Sequence, residues 1–454
     1  MAALESVGGL ALESVGGLAM HVILSKLAPN DAASVACVSR RFRTWASDDD
    51  SLWSKFCSDD FQLNSPLDPV GNPTATFKEA YGTWRDAFHM YPWPLVMRVK
   101  RCWDRLKNWF AANFPEILAT LRRGASEEEI NALELSLKVK LPLPTRVLYR
   151  FCDGQDLKAD NLTGRVPQSL LGLIGGYSFY DHQVNVFLLP LEQIVEETKD
   201  YIQQLGLLNG RPKYIVVAAS CTYREKTFFL NCRSGQLHVG TRNLLTDGAM
   251  IPCVPGSLIS LLNDRKGSQV QDALLLWLEE HCRRLESGII KVRQDGELRG
   301  INLFPELPPL CCTAITNGVK VRASAVFVPE GSNLEDEDEK YLFAYSVRMS
   351  LSPEGCIISG MNFGSCQLYW RHWVICIGDA VVDNVNGEAV IGKFPLLRPG
   401  EEEFIYESCT FLSSLPGSIE GCFTFVPGRL ADPSSSPFEA QVARFPLLLP
   451  DYIF

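Results

Sequence analysis

The chain has 454 residues, a length that suggests about three domains. Lys plus Arg number 43 against 53 Asp plus Glu, a formal net charge of −10, which argues against a nucleic-acid partner, whose phosphates call for a basic face. Apolar residues make up 46% and charged residues 21%, globular proportions, and no apolar run approaches the roughly 18 residues of a spanning helix. The start, Met-Ala-Ala-Leu-Glu, has no basic leader region. The expectation is an intracellular protein, cytoplasmic or nuclear, with neither nucleic acid nor membrane among its partners.

Fifteen Cys are scattered without a single C-x-x-C, and the six His do not complete zinc spacings. A metal site is therefore not expected. Cys311 and Cys312 are adjacent, a placement that strains a disulfide. The cysteines read as buried thiols in a reducing compartment.

Residues 3–10 (ALESVGGL) repeat without change at 11–18. This duplication has no core of its own, so residues 1–17 are expected to be mobile. Met20–Leu27 reads as a short helical turn carrying Val22, Ile23, Leu24 and Leu27. Pro29-Asn30-Asp31 breaks it and offers an N-cap. In the following helix Val35, Val38, Phe42 and Trp45 fall on one stripe. Ser47 to Asp50 starts another, with Leu52, Trp53 and Phe56. These helices are too few to bury their apolar groups alone.

The order Ile23-Leu24-x-x-Leu27, Asp31, Val35, Val38-Ser39-Arg40-Arg41-Phe42-Arg43, Trp45 and Leu52-Trp53 resembles an F-box over residues 18–60. Leu18-Ala19 stands where the family often has Leu-Pro. The resemblance implies docking on the Skp-family adaptor of a cullin–RING ubiquitin ligase, and it marks Ile23, Leu24, Leu27, Val35, Val38, Leu52 and Trp53 as adaptor-binding residues. Physically this is helix-face recognition, with unburied apolar side chains forming the core of an interface.

Residues 61–115 read as a linker, with Pro66, Pro69, Gly71 and Pro73, followed by an amphipathic helix bearing Val99, Cys102, Trp103, Leu106, Trp109 and Phe110. Its cationic face, Lys100, Arg101, Arg105 and Lys107, fits a packed helix joining domains.

Residues 116–290 read as an α+β module. Ser126-Glu127-Glu128-Glu129 is a capping box. Leu141-Pro142 ends that helix, and a second helix ends at Asp153-Gly154. Strands are expected within Ser169–Tyr180, Val184–Leu189, Tyr214–Ala219, Thr227–Asn231 and Gln236–Val239, with helices over Glu192–Leu205 and Gln271–Leu285. Ser126-Glu-Glu-Glu-Ile130, Leu141-Pro142, Tyr149-Arg150 and Asp153-Gly154-Gln155 resemble the SUKH (SMI/KNR-type) superfamily, which implies a protein-binding module. Turn chemistry accounts for Asp153, Asp156 and Asp160 better than a metal or catalytic cluster with Asp181 does.

Residues 291–304 read as a second linker. From Gly318 the apolar period becomes two, at Val319–Phe327 and Tyr341–Met349, around an acidic loop tip at 335–339. Gln367–Ile377 reads as a central strand, and the strand spacing indicates a β-sandwich. Gln367-Leu368-x-x-Arg371-His372-Trp373, Val385-x-Gly387-Glu388-Ala389-Val390-Ile391-Gly392, Pro395-x-Leu397-x-Pro399-Gly400, Phe404-x-Tyr406 and Phe445-Pro446-Leu447 resemble the ApaG domain over residues 305–450. That implies an all-β, fibronectin-III-like sandwich. Gly387 and Gly392 stand where the family often has G-x-G-x-x-G, but Ala389 replaces the middle Gly. A dinucleotide reading also needs a strand-to-helix context. Arg371 and His372 are candidates to hold an anion, yet adjacent strand residues point to opposite faces.

The fold class is thus multidomain: a helical F-box, a SUKH-like α+β domain and an ApaG-like sandwich, the order of plant Skp-interacting F-box proteins and their vertebrate counterparts. This order implies a non-catalytic substrate-recognition subunit of an SCF-type (Skp–cullin–F-box) ubiquitin ligase, with cullin and RING subunits reached through the adaptor, an unidentified protein substrate and no cofactor. No nucleophile elbow, P-loop, H-E-x-x-H or RING zinc pair is present. Two other readings stand beside it: a sensor of a small phosphate-bearing ligand through Arg371, His372, Gly387 and Gly392, and an F-box protein acting outside a ligase.

Overall fold

The computed structural model describes residues 15–47, 50–156, 171–205, 214–221, 225–260, 270–295 and 298–454. The first copy of the duplicated octapeptide lies outside them. The chain divides into two compact units, residues 1–101 and 102–454.

In the first unit, helices α1 (Gly17–Leu24), α2 (Pro29–Val35), α3 (Arg40–Ser47), α4 (Asp50–Phe61) and α5 (Phe77–Phe88) follow one another. The expected single stripe through Val35, Val38, Phe42 and Trp45 is split between α2 and α3. The cause is local: Ser39 Oγ accepts the Phe42 backbone N–H, capping a new helix, and Val38 falls in the turn. Trp53 donates its indole N–H to Ala46 O at 2.8 Å, tying α4 to α3. Residues 61–88 are more than a linker. Tyr81 packs edge-on against Trp53 at 5.3 Å, Phe61 stacks on Trp84 at 5.4 Å, and Tyr81 donates to Asp60 Oδ2 at 2.7 Å. Thr76 caps α5 by accepting from Glu79 N, and burial of this aromatic cluster completes a core that the short F-box helices lack.

Helix α6 (Trp93–Asn113) carries the expected apolar stripe, with Val99, Cys102, Trp103, Leu106 and Phe110 buried. In the second unit, α7 (Glu127–Leu137) begins at a complete capping box: Ser126 Oγ accepts from Glu129 N, and Glu129 Oε2 accepts from Ser126 N at 2.7 Å. Helix α8 (Leu143–Phe151) follows. Strands β1 (Gly175–Phe179) and β2 (His182–Leu188), helix α9 (Leu191–Leu205), then β3 (Tyr214–Cys221), β4 (Glu225–Asn231), β5 (Leu237–Gly240), β6 (Met250–Pro252) and α10 (Ala273–Glu286) complete most of the central domain. Asp153 is a structural cap, accepting from Leu191 N at 2.8 Å and lying 3.3 Å from Arg122. Asp160 lies outside the described residues, and among those described no acidic, His or Cys group is arranged to hold a metal.

Residues 291–304 correct the expectation of a linker. They form the hairpin β7 (Lys291–Asp295) and β8 (Leu298–Asn302), and β8 pairs in parallel with β1. The central sheet therefore has eight strands in the order β6-β5-β4-β3-β2-β1-β8-β7. The polar alternation of Lys291-Val-Arg-Gln-Asp hides a strand that closes a sheet edge with one face wet.

The C-terminal module is all β. Strands β9 (Cys311–Thr316), β10 (Val319–Phe327) and β11 (Tyr341–Leu351) come first. After the hairpin β12 (Cys356–Ile358) and β13 (Met361–Phe363) come β14 (Cys366–Ile377), β15 (Ala380–Glu388), β16 (Leu396–Leu397), β17 (Phe404–Leu412), β18 (Gly417–Arg429), β19 (Asp432–Pro433) and β20 (Phe438–Leu447). One sheet runs β17-β11-β10-β9. The other runs β15-β14-β18-β19, with β20 also on β18. Tyr345 from the first sheet meets Trp373 at 6.0 Å and Phe445 at 6.2 Å from the second, so the aromatic core lies between the sheets.

Candidate functional site

The F-box helices sort the seven adaptor-binding candidates by exposure. Leu24, Leu52 and Trp53 are buried in the unit's own core; Leu27 and Val35 are half-buried; Ile23 and Val38 are exposed, Val38 at 69%. Leu18, 83% exposed, and Val22 join them, one helical turn apart on α1 and hence on one face. The sequence pattern missed Leu18 and Val22. An apolar residue on a short helix carries no sign of whether its own core or another chain covers it. Among the cationic neighbours, Arg41 is engaged locally, sitting 5.0 Å over the Trp45 ring.

In residues 102–454 the central and C-terminal modules share a buried polar seam. Glu330, just after β10, accepts from the Tyr177 hydroxyl at 2.8 Å and lies 2.8 Å from His182 Nε2. Lys226 on β4, fully buried, donates to the Tyr177 hydroxyl at 2.8 Å and to Phe454 O at 2.6 Å, with Glu330 Oε2 at 3.6 Å. Burial pushes the Glu330 carboxyl up, but the Lys226 and His182 charges outweigh it and hold the group below its usual range. A second cluster gathers Arg293 of β7, Arg322 of β10 and Arg348 of β11 on Glu306. The segment after β20 returns to the central domain, where Phe454 stacks on Trp277 at 5.3 Å and Ile453 O accepts the Trp277 indole N–H at 2.7 Å. Such groups cannot stay unpaired in a low-dielectric seam, so the two modules form one body. A groove of about 620 Å³ runs along it, lined by Leu303, Pro305, Phe327, Leu448, Leu449 and Tyr452.

The four candidates on the sandwich separate. Arg371 and His372 are neighbours on β14 and point to opposite faces. His372 Nε2 meets Asn384 Oδ1 at 2.9 Å on the outer face, while Arg371 shares the inward face with Trp373, two residues on. Gly387 pairs directly with Arg371 across β14 and β15. Gly392, at φ +73°, belongs to the tight turn Val390–Lys393, whose end residues exchange backbone hydrogen bonds at 3.0 and 2.8 Å. Ile391 precedes it at φ +45°, so both central residues of that turn are left-handed. The glycines thus serve different positions: one leaves space over a guanidinium, the other makes a turn. No helix follows them, so the helix-terminus cradle of a dinucleotide site is not built here.

Two family models match this chain: F-box-like over residues 19–59 and ApaG domain over residues 331–427. The chain is 56% identical over 437 residues to F-box protein SKIP16 of Arabidopsis thaliana, covering 96% of this chain and 98% of that one. It is 27% identical over 438 residues to human F-box only protein 3, covering 94% of this chain and 81% of that one. Protein ApaG of Nitrosomonas europaea is 38% identical over 108 residues, 24% of this chain and 76% of its own. The helical N-terminal domain and the C-terminal sandwich define an F-box protein with an ApaG domain. The chain belongs to the family of F-box protein SKIP16. F-box proteins in general are adaptor subunits of SCF-type ubiquitin ligases and typically non-catalytic.

Proposed function

We propose that this protein is the substrate-recognition subunit of an SCF-type ubiquitin ligase. Its F-box docks on a Skp-family adaptor, which carries the cullin and RING subunits, and residues 102–454 recruit a protein for ubiquitination. The observation that supports this reading best is the set of large apolar side chains left exposed on the F-box: Leu18, Val22, Ile23 and Val38. Such groups are the core of a heterologous interface in search of its other half. Leu27 and Val35 flank them, whereas Leu24, Leu52 and Trp53 support the helices from beneath. The SUKH-like character of the central domain belongs to the same reading, as a protein-binding module fused to the sandwich. The receptor performs no bond chemistry. It raises the effective concentration of a substrate lysine near the charged conjugating enzyme. The setting is intracellular, cytoplasmic or nuclear.

Co-purification with the Skp adaptor tests it, comparing wild type with Ile23→Asp/Val38→Asp. Both sites are exposed in the free chain, so the variant folds, while each carboxylate would be buried unpaired in the complex, costing about 1–3 kcal/mol even by the measure of a neutral polar group. Loss of the adaptor with an unchanged circular dichroism spectrum supports the reading. Failure of the wild type to recover the adaptor refutes it, and equal recovery by both proteins moves the docking face away from Ile23 and Val38. Adaptor recovered without cullin would place the protein outside a ligase.

A further inference from the structure

The inner edge of the ApaG sandwich holds buried polar groups without well-formed hydrogen bonds. Trp373 and Tyr406 are each 3% exposed; the indole Nε1 and the phenol hydroxyl interact with each other, but neither makes a hydrogen bond of good geometry. They face each other between β14 and β17. Tyr345 lies beside both, its ring 6.0 Å from Trp373 and 6.4 Å from Tyr406. Arg371 projects to the same side of β14. One arm of its fork donates to Ala389 O at 3.1 Å, and among the described residues no carboxylate pairs with it. Its positive charge is felt at both the Tyr345 and Tyr406 hydroxyls.

The Arg371 guanidinium is open on the side of Gly387. A Cβ placed on Gly387 would meet only Arg371, Nη2 at 3.6 Å and Cζ at 3.8 Å, so the guanidinium is reached over that glycine. The central domain supplies the rim. Tyr180, largely exposed at the tip of the β1–β2 turn, places its hydroxyl 2.8 Å from Ser408 Oγ on β17. Next to it Ser178 donates to Glu407 Oε2 at 2.9 Å, which turns that carboxylate to the other face of β17 from Tyr406 and Ser408.

Buried donors without well-formed bonds and a half-buried cation without a counter-ion are costly as they stand, and an oxyanion lowers both costs together. We propose that Arg371, Trp373 and Tyr406, with Tyr180 at the rim, form a seat for an oxyanion, a phosphate or carboxylate carried by a segment of the protein to be ubiquitinated. Arg suits this role because its planar fork offers paired donors, one pair of which remains free here. The site differs from the glycine-turn reading in its residues: His372 and Gly392 take no part, and Gly387 acts only by leaving room. The inference rests on the receptor reading solely for the source of the anion.

The test uses the full chain with nitrogen-15-labelled tryptophan, the Trp373 indole resonance being assigned with Trp373→Phe. Inorganic phosphate, a phosphoserine peptide and the same peptide unphosphorylated are titrated in turn. The expected result is a saturable shift of the Trp373 resonance with phosphate and with the phosphopeptide, abolished in Arg371→Gln. In Tyr406→Phe the affinity falls roughly ten-fold, as loss of one charge-assisted hydrogen bond implies, with little loss of thermal stability, because only the poorly formed contact with the Trp373 indole is removed. Gly387→Leu covers the fork without displacing backbone and decides the matter if Arg371→Gln fails to fold. Tighter binding of the phosphopeptide assigns the anion to a protein segment. A shift with inorganic phosphate alone overturns that source and leaves the seat to a free phosphate. No shift in wild type, or an equal shift in Arg371→Gln and Gly387→Leu, overturns the proposal, and neither result depends on whether the adaptor binds.

Discussion

Replacing Lys226 by Met should destabilise residues 102–454 as a body, because the ammonium is the cation that permits Glu330 to stay ionised in the seam. Lys226 is fully buried, bonds to the Tyr177 hydroxyl and Phe454 O at 2.8 and 2.6 Å, and lies 3.6 Å from Glu330 Oε2. Breaking a buried pair from one side leaves the other charge uncompensated, at a cost of about 3–5 kcal/mol. The double variant Lys226→Met/Glu330→Gln leaves no charge at either position, and its amide oxygen can still accept from Tyr177, so about 1–2 kcal/mol of loss is expected. The assay is urea unfolding of the full chain, followed by tryptophan fluorescence and by far-ultraviolet circular dichroism, for wild type, both single variants and the double. A double variant as unstable as the sum of the singles would refute the argument, since the cycle would show no coupling. The pH dependence has a fixed sign. The folded-state carboxyl of Glu330 is held below its ordinary value of 4.5, so its contribution is complete above that value and is lost as pH falls through the folded-state value.

Three further outcomes follow from single contacts. His281 is fully buried with Nε2 2.9 Å from Leu173 O, and burial pushes it down to about 3 from 6.5; stability should therefore fall by up to ~1.4 kcal/mol per pH unit as pH drops from 6.5 towards 3, a slope that His281→Gln flattens in acid titrations of the urea midpoint. Asp272 caps α10 through Leu275 N at 3.0 Å and accepts from Thr145 N and Oγ1 at 2.8 and 2.6 Å; Asp272→Ala should cost about 2–4 kcal/mol in the same measurement, for a cap and two buried donors left unmet. Phe454→Ala removes the ring stacked on Trp277 and should cost about 3–5 kcal/mol, with a change in Trp277 fluorescence; a loss below ~1 kcal/mol would show that the returning segment is not part of the core.

Much of the architecture is legible in local pattern. The capping box at Ser126 and Glu129, the helix over Leu191–Leu205 and the alternating strands Val319–Phe327 and Tyr341–Leu351 follow from contacts three or four residues apart or from a period of two. The errors have equally definite causes. Ser39 offers an alternative cap in the middle of an apolar stripe, so one expected helix becomes two. The β7–β8 hairpin looks like a linker because only one of its faces is covered. At the candidate sites, the residue types were visible and their roles were not. Leu24 and Val38 fit the same motif, yet one is core and the other surface. Arg371 and His372 are adjacent, and only the register of β14 against β15 and β18 decides which one faces inward.

The sequence by itself determined the kind and order of the modules, because helix caps, apolar periods and family motifs are written within short windows of the chain. The tertiary structure alone decided that the central domain and the sandwich are one body. Lys226 meets Glu330 and Phe454, and Trp277 meets Ile453, across about a hundred residues or more of chain. It also decided that Trp373, Tyr406 and Arg371 converge beside Tyr180. No periodicity signals such meetings, since a buried charge or an unpartnered donor is defined by what surrounds it in space.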